Sequence, residues 1–200
     1  MRVGIIGSGK IGMAIAGHAV AADHDVMLSH RGDAASMADR LAPLGPKAQA
    51  GTVPETAAFG DVVFLAVVWD AVPDVGAQVS SWAGKVVVDP TNPLRVVDGR
   101  PSLVEYDAGT SSEVVARAVP GARLVKGFGN YFAHVLAENP VQERWRRVML
   151  LAGDDNDAKL LVADLANGMG FAPVDLGCLV DGGRGFQVGG PLGKFTLRAF

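Results

Sequence analysis

Six consecutive residues constrain this 200-residue chain more than any others: Gly7-Ser8-Gly9-Lys10-Ile11-Gly12. Before them, Val3 to Ile6 reads as a short strand. After them, Lys10 to Ala21 carries Ile11, Ala14, Ile15 and His18 at helical spacing. Three glycines at these intervals, between a strand and a helix, open a βαβ unit. Gly7 permits the tight turn, Gly9 lets a pyrophosphate approach the backbone, and Gly12 lets helix and strand pack closely. The helix N-terminus then offers unpaired N–H groups and the positive end of its dipole. The motif therefore predicts a dinucleotide site. It is not a P-loop, because the lysine-serine/threonine ending is absent. Lys10 either adds a charged contact to the phosphates or faces water.

The residues after the next strand choose between dinucleotides. Asp25 to Ser29 reads as that strand, and Ser29-His30-Arg31-Gly32-Asp33 follows. An NAD site wants a carboxylate at the strand end to hold the ribose 2′-OH. Here a hydroxyl, an imidazole and a guanidinium stand instead, and an arginine can clamp a 2′-phosphate. The sequence favours NADP (NADPH), with Ser29, His30 and Arg31 as contacts. Asp33 lies past the turn, where it serves as the cap of the following helix.

Further along, short β-branched runs alternate with helical patterns, which predicts an α/β protein: a Rossmann-type, doubly wound, mainly parallel sheet. Val62 to Val68 is the clearest buried strand, apolar on both faces as a central parallel strand must be. Helices are expected at Thr52 to Phe59, Ala71 to Trp82, Ser111 to Val119 with serine caps, and from the Asp154-Asp155 cap to Met169. Strands are expected at Lys47 to Ala50, Lys85 to Val88, Arg123 to Phe128, Arg147 to Leu151 and Ala172 to Asp175. Pro93 to Gly109 reads as an irregular connection. Gly182 to Gly193 reads as a glycine-rich tail, and Leu192 to Phe200 as a terminal helix. Residues 1–140 would form the NADP-binding domain. Residues 141–200 would extend the sheet and add a small C-terminal cap.

Composition narrows the function. With 49% hydrophobic and 20% charged residues the chain is not disordered. A formal net charge of −3 gives no footprint for nucleic acid. Cys178 is the single cysteine, and the four histidines show no metal-ligand spacing. The longest apolar run, Val62 to Trp69, falls far short of the ~20 residues a membrane span needs. A soluble, cytoplasmic protein is expected, with no membrane partner, and a homodimer.

The pattern resembles the NADP oxidoreductases dependent on coenzyme F-420, which are related to the oxidoreductase domain of six-transmembrane ferric reductases. The resemblance is carried by the glycine loop, Ser29-His30-Arg31, Val67-Val68-Trp69, Thr91-Asn92-Pro93 and Leu124 to Phe128. It continues in Gly153-Asp154-Asp155, Pro173 to Gly177 and Gly189-Gly190-Pro191-Leu192. It implies that Val67, Val68, Trp69, Asn92, Pro93, Phe128, Gly129 and Asn130 surround the nicotinamide. It also implies that a deazaflavin (coenzyme F-420) or a flavin stacks nearby and exchanges hydride with it. No catalytic side chain is implied, because the cofactors carry the chemistry. The sequence departs from the family at Gly129, where a polar side chain is frequent, and at His30. Trp69 either touches the cofactor or closes the core, and His134 is a candidate pocket residue. Two other functions fit the same opening motif: reduction of a small imine or carbonyl by NADPH, and a non-catalytic NADP(H)-binding redox sensor.

Overall fold

The computed structural model describes every residue except Asp33, Asp107, Ala108 and Lys194, and the side chains of Ala34 and Ala35. The expected cap at Asp33 therefore lies outside the described residues. In chain order the elements are β1 (Arg2–Ile6), α1 (Lys10–Ala21), β2 (Asp25–Ser29), α2 (Ala38–Leu41), β3 (Ala48–Ala50), α3 (Val53–Phe59) and β4 (Val62–Leu65). They continue with α4 (Val72–Ala77), β5 (Val86–Asp89), β6 (Leu94–Val97), β7 (Arg100–Leu103), α5 (Ser111–Ala118) and β8 (Arg123–Gly127). Last come α6 (Ala133–Leu136), β9 (Arg146–Gly153), α7 (Asn156–Gly168), β10 (Ala172–Asp175), α8 (Asp181–Phe186) and β11 (Arg198–Ala199).

Six strands run parallel in the order β3-β2-β1-β4-β5-β8, the doubly wound order of a Rossmann sheet. β9 joins antiparallel to β8, β10 lies parallel to β9, and β11 pairs with the start of β9. Every residue of β4 and β5 is buried, because helices cover both faces of the sheet. Ile15 of α1, Leu136 of α6 and Val162 of α7 pack on one face. Ala57 of α3, Val75 of α4 and Val115 of α5 pack on the other. No described helix is long and apolar enough to cross a membrane.

Several segments differ from the sequence expectation, each for a local reason. β4 stops at Leu65 rather than Val68, because the chain turns where Ala66 meets the glycine loop. The helix expected over Ala71 to Trp82 is a 3-10 turn at Trp69–Ala71 followed by α4, which ends at Ala77. There Gly76 presses against the Ala118 carbonyl, and the buried Trp82 ring folds back to donate from Nε1 to the Gly76 oxygen at 2.9 Å. Pro93 to Gly109 is not irregular throughout, since β6 and β7 form a hairpin. Its two-residue loop is Asp98-Gly99, both at positive φ (50° and 75°), the pairing that matches strand twist. α5 is capped by Thr110 rather than by a serine; its hydroxyl accepts from Glu113 N at 3.2 Å.

The C-terminal region departs most. α8 is helical despite its glycines, with Gly182 against the Leu176 carbonyl and Phe186 buried. The end of the chain holds β11 where a helix was expected, because Arg198 and Ala199 pair with the start of β9. Cys178 is exposed.

Of the two aspartates before α7, Asp155 caps the helix and Asp154 ties it to the segment before α8. Asp155 accepts from Ala158 N at 2.9 Å and takes both prongs of Arg123, at 2.6 and 2.7 Å. Asp154 accepts from Leu179 N at 2.9 Å. The Arg123 guanidinium, and after it the Ala158 N–H, hold the Asp155 carboxyl well below the usual carboxylate value. A lowered folded-state pKa stabilises the fold above the unfolded value and loses that stabilisation as pH falls. The stability difference between the protein and Asp155→Asn should be full above about pH 4 and shrink below it. Urea unfolding across pH checks this; a difference that stays constant into acid would contradict it.

Candidate functional site

The glycine loop is shaped by backbone contacts that no side chain would tolerate. Gly7 lies at φ 109°, and its N–H donates to the Ser29 carbonyl at 2.9 Å, joining the ends of β1 and β2. A Cβ on Gly7 would stand 2.2 Å from the Ala66 oxygen, and one on Gly12 1.9 Å from the Gly7 oxygen. Gly9 is different. Nothing lies within 4 Å of the place a Cβ would take, and no side chain caps α1 at this residue. The helix N-terminus therefore faces open space, as phosphate binding requires. Lys10 is exposed beside it and Ile11 is half-buried.

The end of the cleft beside β2 is built from three elements. Ser8 is buried, and its hydroxyl accepts from Arg40 Nη1 of α2 at 3.1 Å, while Arg40 Nη2 donates to its carbonyl. The His30 ring meets the Ser36 hydroxyl through Nε2 at 3.0 Å. Arg31 is exposed, and Gly32 at φ 125° turns the chain away. The Ser29 hydroxyl, by contrast, is sealed inside, so Ser29 contributes its carbonyl rather than its side chain. Arg40 carried no sequence signal, because only the fold brings α2 back to the loop.

The far end of the cleft, where β5 and β8 end, is organised by a buried ion pair. Asp89 and Lys126, 0% and 1% exposed, close the ends of β5 and β8 at 3.1 Å. Asp89 also accepts from the Thr91 N–H (2.8 Å), the Thr91 hydroxyl (2.6 Å) and the Ser112 hydroxyl (2.6 Å). Lys126 donates in addition to the Thr91 carbonyl at 2.9 Å. This fixes the turn into Asn92 and the buried Pro93. The Asn92 amide then donates to the Gly129 carbonyl at 2.9 Å and accepts from Val188 N at 3.1 Å, binding three segments together.

The remaining predicted contacts divide. Val68 is 67% exposed and Val67 half-buried against Gly7. Trp69 closes the core, 8% exposed and tilted against Tyr106 at 5.7 Å between centroids. The Phe128 ring also faces inward, edge-on to Phe64 (5.1 Å) and Phe171 (5.9 Å), with its backbone at φ 63°. Gly129 passes so near Pro90 that a Cβ would meet its carbonyl at 2.8 Å, which explains the missing side chain. Asn130 is 6% exposed, and neither end of its amide finds a partner of hydrogen-bond geometry. A buried amide left this way is costly unless a ligand completes it. His134 lines a cavity of about 910 Å³ that runs along α1 from Lys10 and Met13 to Met169. His18 is structural, bonded through Nε2 to the Leu136 carbonyl at 2.6 Å.

Comparison with known proteins supports the fold. The family described as NADP oxidoreductase, coenzyme F-420-dependent, matches residues 2–93, which run from β1 to the turn after β5. Over that stretch the chain resembles this family. Over 181 residues it is 30% identical to the metalloreductase STEAP3 of Rattus norvegicus, covering 89% of this chain and 34% of that protein. It thus spans about a third of the length of that curated relative. Among solved structures, a hypothetical protein of Sinorhizobium meliloti is 36% identical, with a TM-score of 0.89 over 100% of this chain and 96% of that one. A candidate F-420-dependent NADP reductase of an Arthrobacter species is 24% identical, with a TM-score of 0.75 over 90% and 86% of the two chains. A reductive aminase of Aspergillus terreus, solved with NADPH and ethyl levulinate, is 20% identical, with a TM-score of 0.65 over 90% and 55%. The last two share the fold.

The ion pair yields a direct test. Lys126→Met strands the Asp89 charge in the interior and should cost about 3–5 kcal/mol. Adding Asp89→Leu should recover much of that loss, because the stranded charge is gone. Urea unfolding of both variants decides it; a Lys126→Met protein as stable as the parent would contradict the role given to the pair.

Proposed function

We propose that this protein binds NADPH across the glycine loop and transfers hydride between it and a deazaflavin of the coenzyme F-420 class, or a flavin. The observation that carries the NADP reading is the cationic end of β2. There His30 and Arg31 stand beside the loop that Arg40 braces, where an NAD site would place a carboxylate. The residues present also fit the cofactor as a whole. Open space lies before Gly9, and α1 is uncapped by any side chain.

When bound, NADPH supplies a hydride from its nicotinamide, and the acceptor ring takes that hydride together with one proton from solvent, leaving NADP⁺. The chain's part is to position the two rings. The α1 N-terminus and Lys10 hold the pyrophosphate, and Arg31 holds the 2′-phosphate. The Asp89–Lys126 pair and Asn92 keep the turn, the loop after β8 and Val188 in one arrangement. Val67 and Val68 give an apolar wall against which a flat ring can rest. No acid or base is needed beyond this.

Mixing the protein with NADPH and oxidised coenzyme F-420, FMN or FAD tests the reading. Loss of the acceptor's visible absorbance, matched by NADPH consumed, is expected. NADPH binding with no acceptor reduced would overturn the acceptor assignment. Arg31→Ala should lower the preference for NADPH over NADH by about 10-fold or more, the worth of one charge-assisted contact. Equal preference in the two proteins, read from binding isotherms, would show that Arg31 does not meet the 2′-phosphate.

A further inference from the structure

Arg40 belongs to none of the motifs above. It lies on the short α2, yet its guanidinium reaches the glycine loop and donates to both the hydroxyl and the carbonyl of Ser8. Ser8 directly follows Gly7, whose N–H is held by the Ser29 carbonyl, and Ile6 pairs with Ser29 in the sheet. This register puts Ser8 beside His30 and Arg31 at the mouth of the cleft between β1 and β2. In a doubly wound sheet that mouth receives the 2′ position of the adenosine ribose. Arg31 follows β2 on the strand side of the mouth, and Arg40 reaches it from the loop side. His30 is joined to Ser36 on the segment that leads to α2.

The chemistry suits a dianion. A guanidinium carries more N–H donors than Ser8 uses, and Arg40 remains exposed. Its two bonds to one residue hold the planar group in place beforehand, so little freedom is lost when an anion arrives.

We propose that Arg40 is a second cation of the 2′-phosphate site, positioned by Ser8, so that a pair of guanidinium groups selects NADPH. The proposal rests on the NADP reading and adds a residue to it. Dissociation constants for NADPH and NADH, measured by cofactor fluorescence on the parent, Arg40→Ala and Arg40→Gln, test it. NADH binding shows that each variant is folded. The expected result is that both variants weaken NADPH at least tenfold more than NADH. They should also flatten the salt dependence of NADPH binding. If Arg40 only braces the loop, Arg40→Ala weakens both cofactors alike and Arg40→Gln, which can still donate to Ser8, restores them; that result overturns the proposal, as does no change at all. A parent protein that fails to prefer NADPH would overturn the NADP reading itself, and the proposal with it.

Discussion

The site depends on one close approach of backbone to backbone. Gly12 of α1 lies against the Gly7 carbonyl, and Gly7 lies against Ala66 while its N–H bonds to Ser29. These contacts bring α1 down onto β1 and hold the ends of β1, β2 and β4 at one height. They also aim the helix N-terminus at open space instead of at a capping side chain. Any side chain at Gly7 or Gly12 would push the helix away from the sheet and turn that N-terminus off its target.

A second anchor organises the opposite end of the cleft. The sheet sets Asp89 and Lys126 side by side, since β5 and β8 pair them directly. Burial makes the pair useful only if each polar atom is met, and Thr91 and Ser112 meet the rest. The result is a turn whose Asn92 can reach both the loop after β8 and the C-terminal segment. One end of the cleft is thus fixed by close-packed glycines, and the other by buried charge.

Much of this was legible in the residues. The glycine loop, α1, β2 and β10 read directly, because their periodicity and end signals agree, and Asp155 announced the start of α7. What failed was set by distant partners. Nothing in the apolar run after Val62 marks Leu65 as the last sheet residue, because the Gly7 contact decides it. Asp98-Gly99 did carry a hairpin signal, which the neighbouring prolines and polar residues obscured. The helix at Asp181–Phe186 contradicts local glycine preference and is held by burial of Phe186. The contact of Arg40 with Ser8 could not be read, because only the fold brings α2 to the glycine loop. The inward turn of Phe128 and Trp69 was equally hidden, since an aromatic residue at a strand end packs or binds with the same sequence.

The proposed cleft has a cationic ribose end, a dipolar phosphate site and a rigid ring-binding end. A crystal structure of the protein with NADP⁺ tests this most directly. The expected result is the pyrophosphate at the N–H groups of Gly9 to Gly12 and the 2′-phosphate between Arg31 and Arg40. Density for the dinucleotide elsewhere, or a 2′-phosphate that points into solvent away from both arginines, would contradict it.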